Sequence, residues 1–417
     1  MLRLLHRIAG SVAGTASAQA ALAFVTALQA FLLLHSSANA VNNGLAFGQF
    51  SLTLLWLGTA LSLSSALFGA PLLIRQTKRA SALFWQLQLY FACGCALMSA
   101  LLLWLWQAPL AAQIGFALAH GLALARSLLK QLQQQRQQFR RVALQDLCYA
   151  TLVCTLTLWL FVSELLTLQA LGWLNALLLA LLLLSDVKLI RKLQRLASQR
   201  WHRPLWWRAW LQQGKAACGG VLAIELLANS YLYLLGAWHG AAAVAPVAAA
   251  ALLFRPVGVL LQGMQQQWRP QLRQAVVAGK VQAPLLRAMQ QLSLAAVLGN
   301  SLLAALLLGY WPELVWPAGA DQQFLALCVL MAVLTALRAA RQTPVLLLQA
   351  EDRFAILARA QWPFAVGVAA LVMLLLATGT VSALQAERLV LLLIVAEAGL
   401  YLRLRRLCVK TTEAACP

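Results

Sequence analysis

The sequence predicts an all-α, polytopic membrane protein of about twelve transmembrane helices in two six-helix lobes, and three observations predict it. Of 417 residues, 62% are hydrophobic and 10% are charged, whereas a soluble globular chain carries about 25% charged residues and is less than half apolar. The apolar residues gather into uninterrupted stretches of helix length. The basic residues gather into every second connection between those stretches. Twelve spans of roughly 20 residues use about 240 positions and leave about 14 for each loop or tail. That excludes a large ectodomain, a nucleotide-binding domain, and an enzyme whose site needs a sizeable extramembrane loop.

Taken in order, the expected spans are 11–34, 44–68, 82–106, 109–126, 144–162, 165–185, 214–238, 242–264, 289–310, 323–341, 360–378 and 384–404. The first comes after Arg3 and Arg7 and runs too long to be a cleavable signal. After the second come Arg75, Lys78 and Arg79; after the fourth, Arg126, Lys130, Arg136, Arg140 and Arg141. The sixth leads into the richest cluster, from Lys188 to Lys215. Arg269, Arg273, Lys280 and Arg287 come after the eighth. Arg338 and Arg341 close the tenth, with Arg353 and Arg359 beyond it. Arg403, Arg405, Arg406 and Lys410 close the chain. The intervening connections hold almost no Lys or Arg, with Arg388 the exception. Helices of this length, rather than ten-residue alternations, satisfy the backbone in lipid. The alternation of charge sets both termini in the cytoplasm.

A net charge of +21 can signal nucleic-acid binding, but clusters confined between apolar runs read as topology signals, and no nucleic acid is expected. The eight cysteines lie mostly inside apolar stretches, with neither disulfide nor zinc spacing. Cys93 and Cys95 fall on different sides of a helix. No P-loop, nucleophile elbow or paired carboxylate is present, so the sequence predicts no catalytic residue, metal or cofactor.

The domain reading is an N-terminal lobe (1–185), a cytoplasmic or interfacial linker (186–213) and a C-terminal lobe (214–417). Trp201, Trp206, Trp207 and Trp210 among basic residues suggest an interfacial helix within 200–215. The lobes repeat weakly: Gly69 to Gln76 resembles Trp268 to Gln274, with Pro71 and Pro270 separated by 270 − 71 = 199 positions. An even number of spans per half makes the repeats parallel, related by a pseudo-two-fold along the membrane normal.

In a two-lobed bundle of this kind the cargo site lies between the lobes near mid-membrane. Polar residues deep in spans are therefore the candidates, because each is costly there. In span seven Glu225, Asn229 and Tyr233 form a stripe on one face. In span one Gln19, Thr26 and Gln29 form another, with Ser11 and Thr15. The alternative for these residues is helix-to-helix hydrogen bonding. Arg255 lies well inside span eight, before Pro256, which invites a kink. Arg255 binds an anionic cargo or pairs permanently with Glu225. Arg75, Arg126, Arg338 and Arg341 mark basic ends of spans, where snorkelling or entry of an acidic headgroup accounts for them. Glu397 reads as a local ion-pair partner and His120 as a packed histidine. Gly10–Gly14, Gly44–Gly48 and Gly236–Gly240 read as close-packing contacts near helix ends.

Two stretches carry a resemblance. Gly44-Leu-Ala-Phe-Gly-Gln-Phe-Ser51 resembles the opening of span two in polysaccharide and oligosaccharide-lipid flippases. Asn229-Ser-Tyr-Leu-Tyr-Leu-Leu-Gly236, with a later Gln-Gln-Gln-Trp-Arg-Pro270, is similar to the start of that family's second half. These belong to the multidrug/oligosaccharidyl-lipid/polysaccharide exporter superfamily. The chain lacks the two extra C-terminal spans of the lipid II flippase branch and the N-terminal acidic pair of cation-coupled drug exporters. The resemblance implies alternating access and a polyprenyl-pyrophosphate-linked oligosaccharide as cargo, an O-antigen, capsule or exopolysaccharide unit. It also implies membrane lipids, a polysaccharide polymerase and export machinery as partners. The alternatives are a drug or metabolite antiporter using Glu225, a polytopic glycan polymerase or ligase, and a non-transporting scaffold.

Overall fold

The computed structural model describes residues 20–36, 44–69, 78–136, 138–197, 214–277, 283–317, 321–351, 353–379 and 385–414. The described residues are helical at each of the twelve expected positions. In the first half these are α1 (Ala20–Leu34), α2 (Leu45–Ser64), α3 (Lys78–Leu105), α4 (Leu110–Gln135), α5 (Phe139–Val162) and α6 (Leu168–Leu184). A short helix, α7 (Val187–Ala197), comes next. The second half holds α8 (Lys215–His239), α9 (Ala245–Leu253), α10 (Arg255–Val277), α11 (Ala283–Tyr310), α12 (Gln322–Ala350), α13 (Phe354–Ala377) and α14 (Ala386–Ala414).

Eight helices among the described residues are long and apolar enough to cross a membrane, and ten if each of two bent pairs is one span. The remaining two expected spans fall short for separate reasons. α1 is short over its described part, and α14 is interrupted by Glu387, Arg388 and Glu397. Large apolar side chains face outward along the helices, among them Leu97, Leu101, Trp104, Leu118, Leu152, Trp159, Leu298 and Leu302. That surface suits lipid and no aqueous setting.

The chain divides into two compact units, Met1–Val221 and Leu222–Pro417. In the first unit α4 is the central element, packed closely on α3 and α6. Its approach to α6 depends on two glycines. A Cβ on Gly115 would lie 3.0 Å from the Gly172 carbonyl carbon and 3.0 Å from the Trp173 nitrogen. The helices meet there backbone to backbone, as small residues permit in membranes. The tight turns joining α3 to α4 and α5 to α6 place Gln107 (φ 56°) and Glu164 (φ 58°) in the left-handed region. Gln49 and Gln113 side chains donate to the carbonyls of Trp106 and Ala108 at 2.6 and 2.8 Å, so the first turn leaves few orphan acceptors.

Two helices are broken. α6 and α7 meet at 72°, and the apolar side of α7 (Leu189, Ile190, Leu193) joins a core with Phe68, Phe84, Trp85, Leu128 and Leu132. α7 therefore belongs to the first unit. In the second unit α9 and α10 meet at 53° around Phe254. Pro256 has no N–H and its ring crowds the preceding turn, as the sequence anticipates. The carbonyl of Leu253, the last residue of α9, accepts from the Asn300 side amide on α11 at 2.9 Å. The break is capped across helices, which lipid cannot do. α12 packs closely on α14.

The described helices also correct the expected ends of spans four and ten. The sequence puts these at 126 and 341, but α4 continues to Gln135 and α12 to Ala350. Arg126 and Arg341 thus lie inside helices rather than at their tips.

Gly115→Leu should force α4 and α6 apart and cost about 2–3 kcal/mol. Asn300→Leu should cost about 1–2 kcal/mol, because the Leu253 carbonyl loses its partner. Denaturation in detergent checks both; a Gly115→Leu protein as stable as the wild type would contradict the backbone contact.

Candidate functional site

The charged and polar groups inside the helices form four groupings. The largest lies in the first unit, where the basic ends of α4 and α5 meet the α6–α7 bend. Arg126 on α4 donates to Asp186 at 2.8 Å, to Gln133 at 3.0 Å and to Gln145 on α5 at 2.7 Å. Asp146 lies 3.8 Å from the same guanidinium and accepts from Lys130 at 2.6 Å. Asp186, at the bend, also accepts from Gln133 at 2.7 Å and Arg141 at 2.8 Å. Gln145 donates to Ser185 at 2.8 Å. Arg126, Gln133, Asp146 and Asp186 are all buried. Helical spacing explains the convergence: Arg126, Lys130 and Gln133 recur at three and four residues and share one face of α4.

A smaller version occupies the second unit. Arg338 and Arg341, three residues apart on α12, both reach Glu397 on α14, at 3.3 and 2.8 Å. Arg338 also donates to the Ala228 carbonyl of α8 at 3.3 Å. Glu397 is fully buried. The two groupings occupy corresponding places: 338 − 126 = 212 and 397 − 186 = 211. Each ties the fourth span of its half to the sixth. Each also keeps one cation in excess, three against two in the first unit and two against one in the second.

The third grouping is uncharged. Gln29 on α1 is buried and donates to Asn175 on α6 at 3.3 Å and Thr157 on α5 at 3.5 Å. Asn175 also accepts from Tyr149 at 3.2 Å. This is interhelical bonding of the kind that glues membrane helices.

The fourth is the pair Glu225 and Asn229 on α8, and Arg255 heads α10. Asn229 donates to Glu225 at 2.6 Å. Both are half-buried, as are Tyr233 and Arg255. Arg255 is the first residue of α10, at the joint opened by Pro256.

Set against the sequence expectations, the structure gathers some residues and separates others. Glu225, Asn229 and Tyr233 do share a face. Thr26 turns back on its own helix, donating to the Ala23 carbonyl at 2.9 Å. Arg126 and Arg341 do not snorkel; buried carboxylates hold them inside the protein. Arg338 is half-buried on the same carboxylate as Arg341. Glu397 is the ion-pair partner anticipated, and His120 is packed, 2.8 Å from the Ser99 hydroxyl. Gln19, Arg75, the interfacial segment from Arg200 to Gln213 and the Gly10–Gly14 contact lie outside the described residues. The residues that sequence reasoning passed over are Asp146, Asp186, Gln133 and Gln145. Their signal was there: Asp146 follows one basic cluster and Asp186 precedes the next, and Arg126 and Lys130 lie one turn apart.

Among the described residues no three His, Cys, Asp or Glu converge as metal ligands. No protein-family profile matches the sequence, and no curated protein matches it. Solved structures do match the fold. The outward-facing form of a multidrug resistance MATE family transporter of the MOP superfamily gives a TM-score of 0.65 at 10% identity, covering 99% of this chain and 96% of its own. The inward-facing form of a transporter of that description gives 0.65 at 11%, covering 94% and 96%. A MOP superfamily transporter from Pyrococcus furiosus, described by a reversed polarity of its binding pocket, gives 0.62 at 10%, covering 98% and 96%. The chain therefore has the fold of the MOP superfamily transporters.

Asp186→Ala should cost about 3 kcal/mol, because Arg126 stays buried without its charge partner. Arg141→Gln, whose side chain is half exposed, should cost under about 1 kcal/mol. Denaturant unfolding of the purified variants orders the two; equal costs would mean that the network is not held by Asp186.

Proposed function

We propose that the protein is a transporter that moves a lipid-linked saccharide, carried on a polyprenyl pyrophosphate, across a bacterial inner membrane by alternating access. The observation that carries this reading is the cationic excess inside the helices. The α12–α14 grouping sets two arginines against the one buried Glu397, the third cation of the first grouping, Arg141, is half exposed, and Arg255 is placed half-buried at a helix break. A cation at that depth is costly unless it serves a ligand, a pair or water, and a pyrophosphate is the headgroup that suits several guanidiniums. Glu225, held by Asn229, would return Arg255 to neutrality between cargoes. The flippase-like residues Gly44 to Ser51 and Asn229 to Gly236 support the same cargo class. Both termini would be cytoplasmic, placing the basic ends where the lipid-linked unit is assembled. A polysaccharide polymerase and export machinery would receive the product.

A drug or metabolite antiporter is the second reading, and a specific observation favours it. Two of the structural neighbours are described as multidrug transporters, and Glu225 is a carboxylate well inside α8. The basic excess argues the other way, since a cationic drug needs an acidic site. The Pyrococcus furiosus neighbour, described by reversed pocket polarity and a suggested different function, is precedent for such inversion on this fold. A glycan polymerase or ligase has little support, because the described connections from α3 to α4 and from α5 to α6, opposite the basic ends, are tight turns.

Proteoliposomes carrying a fluorescent polyprenyl-pyrophosphate saccharide test the choice. The wild-type protein should expose the label to an external quencher over minutes. Arg255→Ala should slow this by about 100-fold and Arg255→Lys by about tenfold, the loss of a bidentate pyrophosphate contact. Unchanged flipping by both variants would remove Arg255 from the cargo site. Efflux of a cationic dye driven by an ion gradient, without flipping, would replace this reading with the antiporter.

A further inference from the structure

α7 is a helix that the proposed transport cycle does not use, and its two faces are unlike. Leu193 is buried, and Leu189 and Ile190 are half-buried, in the core that caps α3 and α4. The other face presents Lys188, Arg191, Lys192 and Arg195, all exposed, with no acidic residue between Val187 and Ala197. The preceding bend of 72° turns the helix from the spanning direction of α6 toward the membrane plane. α7 starts directly where α6 ends, so its basic face lies at headgroup depth.

A topology signal asks only that cations stay on one side, and a loose loop would serve. α7 is instead fixed. Its N-terminal neighbour Asp186 is gripped by Arg126, Gln133 and Arg141. Exposed Arg136 ends α4 and exposed Arg140 starts α5, and Arg141 on α5 also donates to the Ser185 carbonyl at 3.0 Å, which brings the start of α5 beside the start of α7. The cations on α7 are thus held as a preorganised patch rather than spread along a flexible strand, which cuts the ordering cost of binding.

We propose that the basic face of α7 is a binding surface for acidic phospholipid headgroups of the leaflet at this end of the protein. Charge complementarity identifies the occupant. A row of clustered cations on an amphipathic helix beside a spanning segment attracts anionic lipid. The exposed Leu181 and Leu184 at the end of α6 give acyl chains an apolar surface alongside. The lipid would brace the α6–α7 bend from outside while Asp186 braces it from within. This inference does not depend on the cargo proposed above.

The test is a lipid titration of the full-length protein in non-ionic detergent, read by native mass spectrometry. Phosphatidylglycerol should bind about tenfold more tightly than phosphatidylcholine, and raising NaCl from about 50 to about 500 mM should abolish most of that preference. A variant with Lys188→Gln, Arg191→Gln, Lys192→Gln and Arg195→Gln should bind the two lipids alike. The milder Lys188→Gln/Lys192→Gln pair should lose about half of the logarithmic preference. A control with Arg403→Gln, Arg405→Gln and Arg406→Gln, exposed cations on α14, should keep it. The proposal is overturned if the wild type shows no preference, if the α7 variants retain it, or if the α14 control loses as much. Displacement of the lipid by inorganic phosphate at matched ionic strength would also overturn it, in favour of a soluble-anion site.

Discussion

The structure depends on one constraint: inside a bilayer a charge or a backbone polar group has to find its partner within the protein. Three devices meet it here. Glu397 lies between Arg338 and Arg341. Asp186 lies among Arg126, Gln133 and Arg141. Asn300 donates to the Leu253 carbonyl at the α9–α10 break. Without the first two, α4 and α12 would carry uncompensated arginines well inside their lengths, and the helices could not continue at full burial. With them the spans lengthen and fasten to their neighbours. The same contacts fix the direction in which α7 leaves the first unit, because Asp186 is both ion-pair partner and bend.

That the two halves solve this problem alike is a firmer sign of duplication than the sequence similarity. The proline-based alignment has an offset of 199, from Pro71 and Pro270, while the arginines give 212 and the carboxylates 211. The difference is absorbed by connections between the second and fourth spans of each half. Selection on such a pair acts on charge and helix face rather than on neighbouring identity. An Asp at the end of α6 and a Glu within α14 can therefore do the same work while the surrounding residues drift.

Much of the fold was legible because the bilayer imposes a coarse code. Helix-length apolar runs and alternating cations located twelve helices, and Pro256 located a break. Cys93 exposed and Cys95 buried, a packed His120 and a shared Glu225–Asn229 face all stem from helical periodicity, which needs no tertiary information. The errors share a cause. A charge-based segmentation takes a basic cluster as the end of a span, so it cuts α4 and α12 nine residues short, at Arg126 against Gln135 and at Arg341 against Ala350. Whether an arginine ends a span or sits within it depends on a carboxylate some sixty residues away in sequence (186 − 126 = 60, 397 − 338 = 59). No local window contains that pairing. Gln29 with Asn175 and Thr157 escaped for the same reason. Thr26 shows the converse, a polar residue satisfied within its own helix.

The pairings also separate the arginines by what they can do. Arg126 is buried and Arg341 mostly buried beside tethered carboxylates, which act as intramolecular ligands at high effective concentration. An incoming anion would have to displace such a carboxylate and leave it buried and unpaired, a loss of several kcal/mol. These arginines therefore build the fold, and their surplus charge acts at a distance as a positive field. Arg255 differs in position rather than in chemistry. It opens α10 at a joint where the Leu253 carbonyl already accepts from Asn300. On the proposed reading, a headgroup that takes Arg255 from its resting contact alters the load on a joint between two straight segments. Among the described arginines inside spans, that placement suits Arg255 best for coupling cargo to motion, while the paired arginines hold the ends that such motion must not loosen.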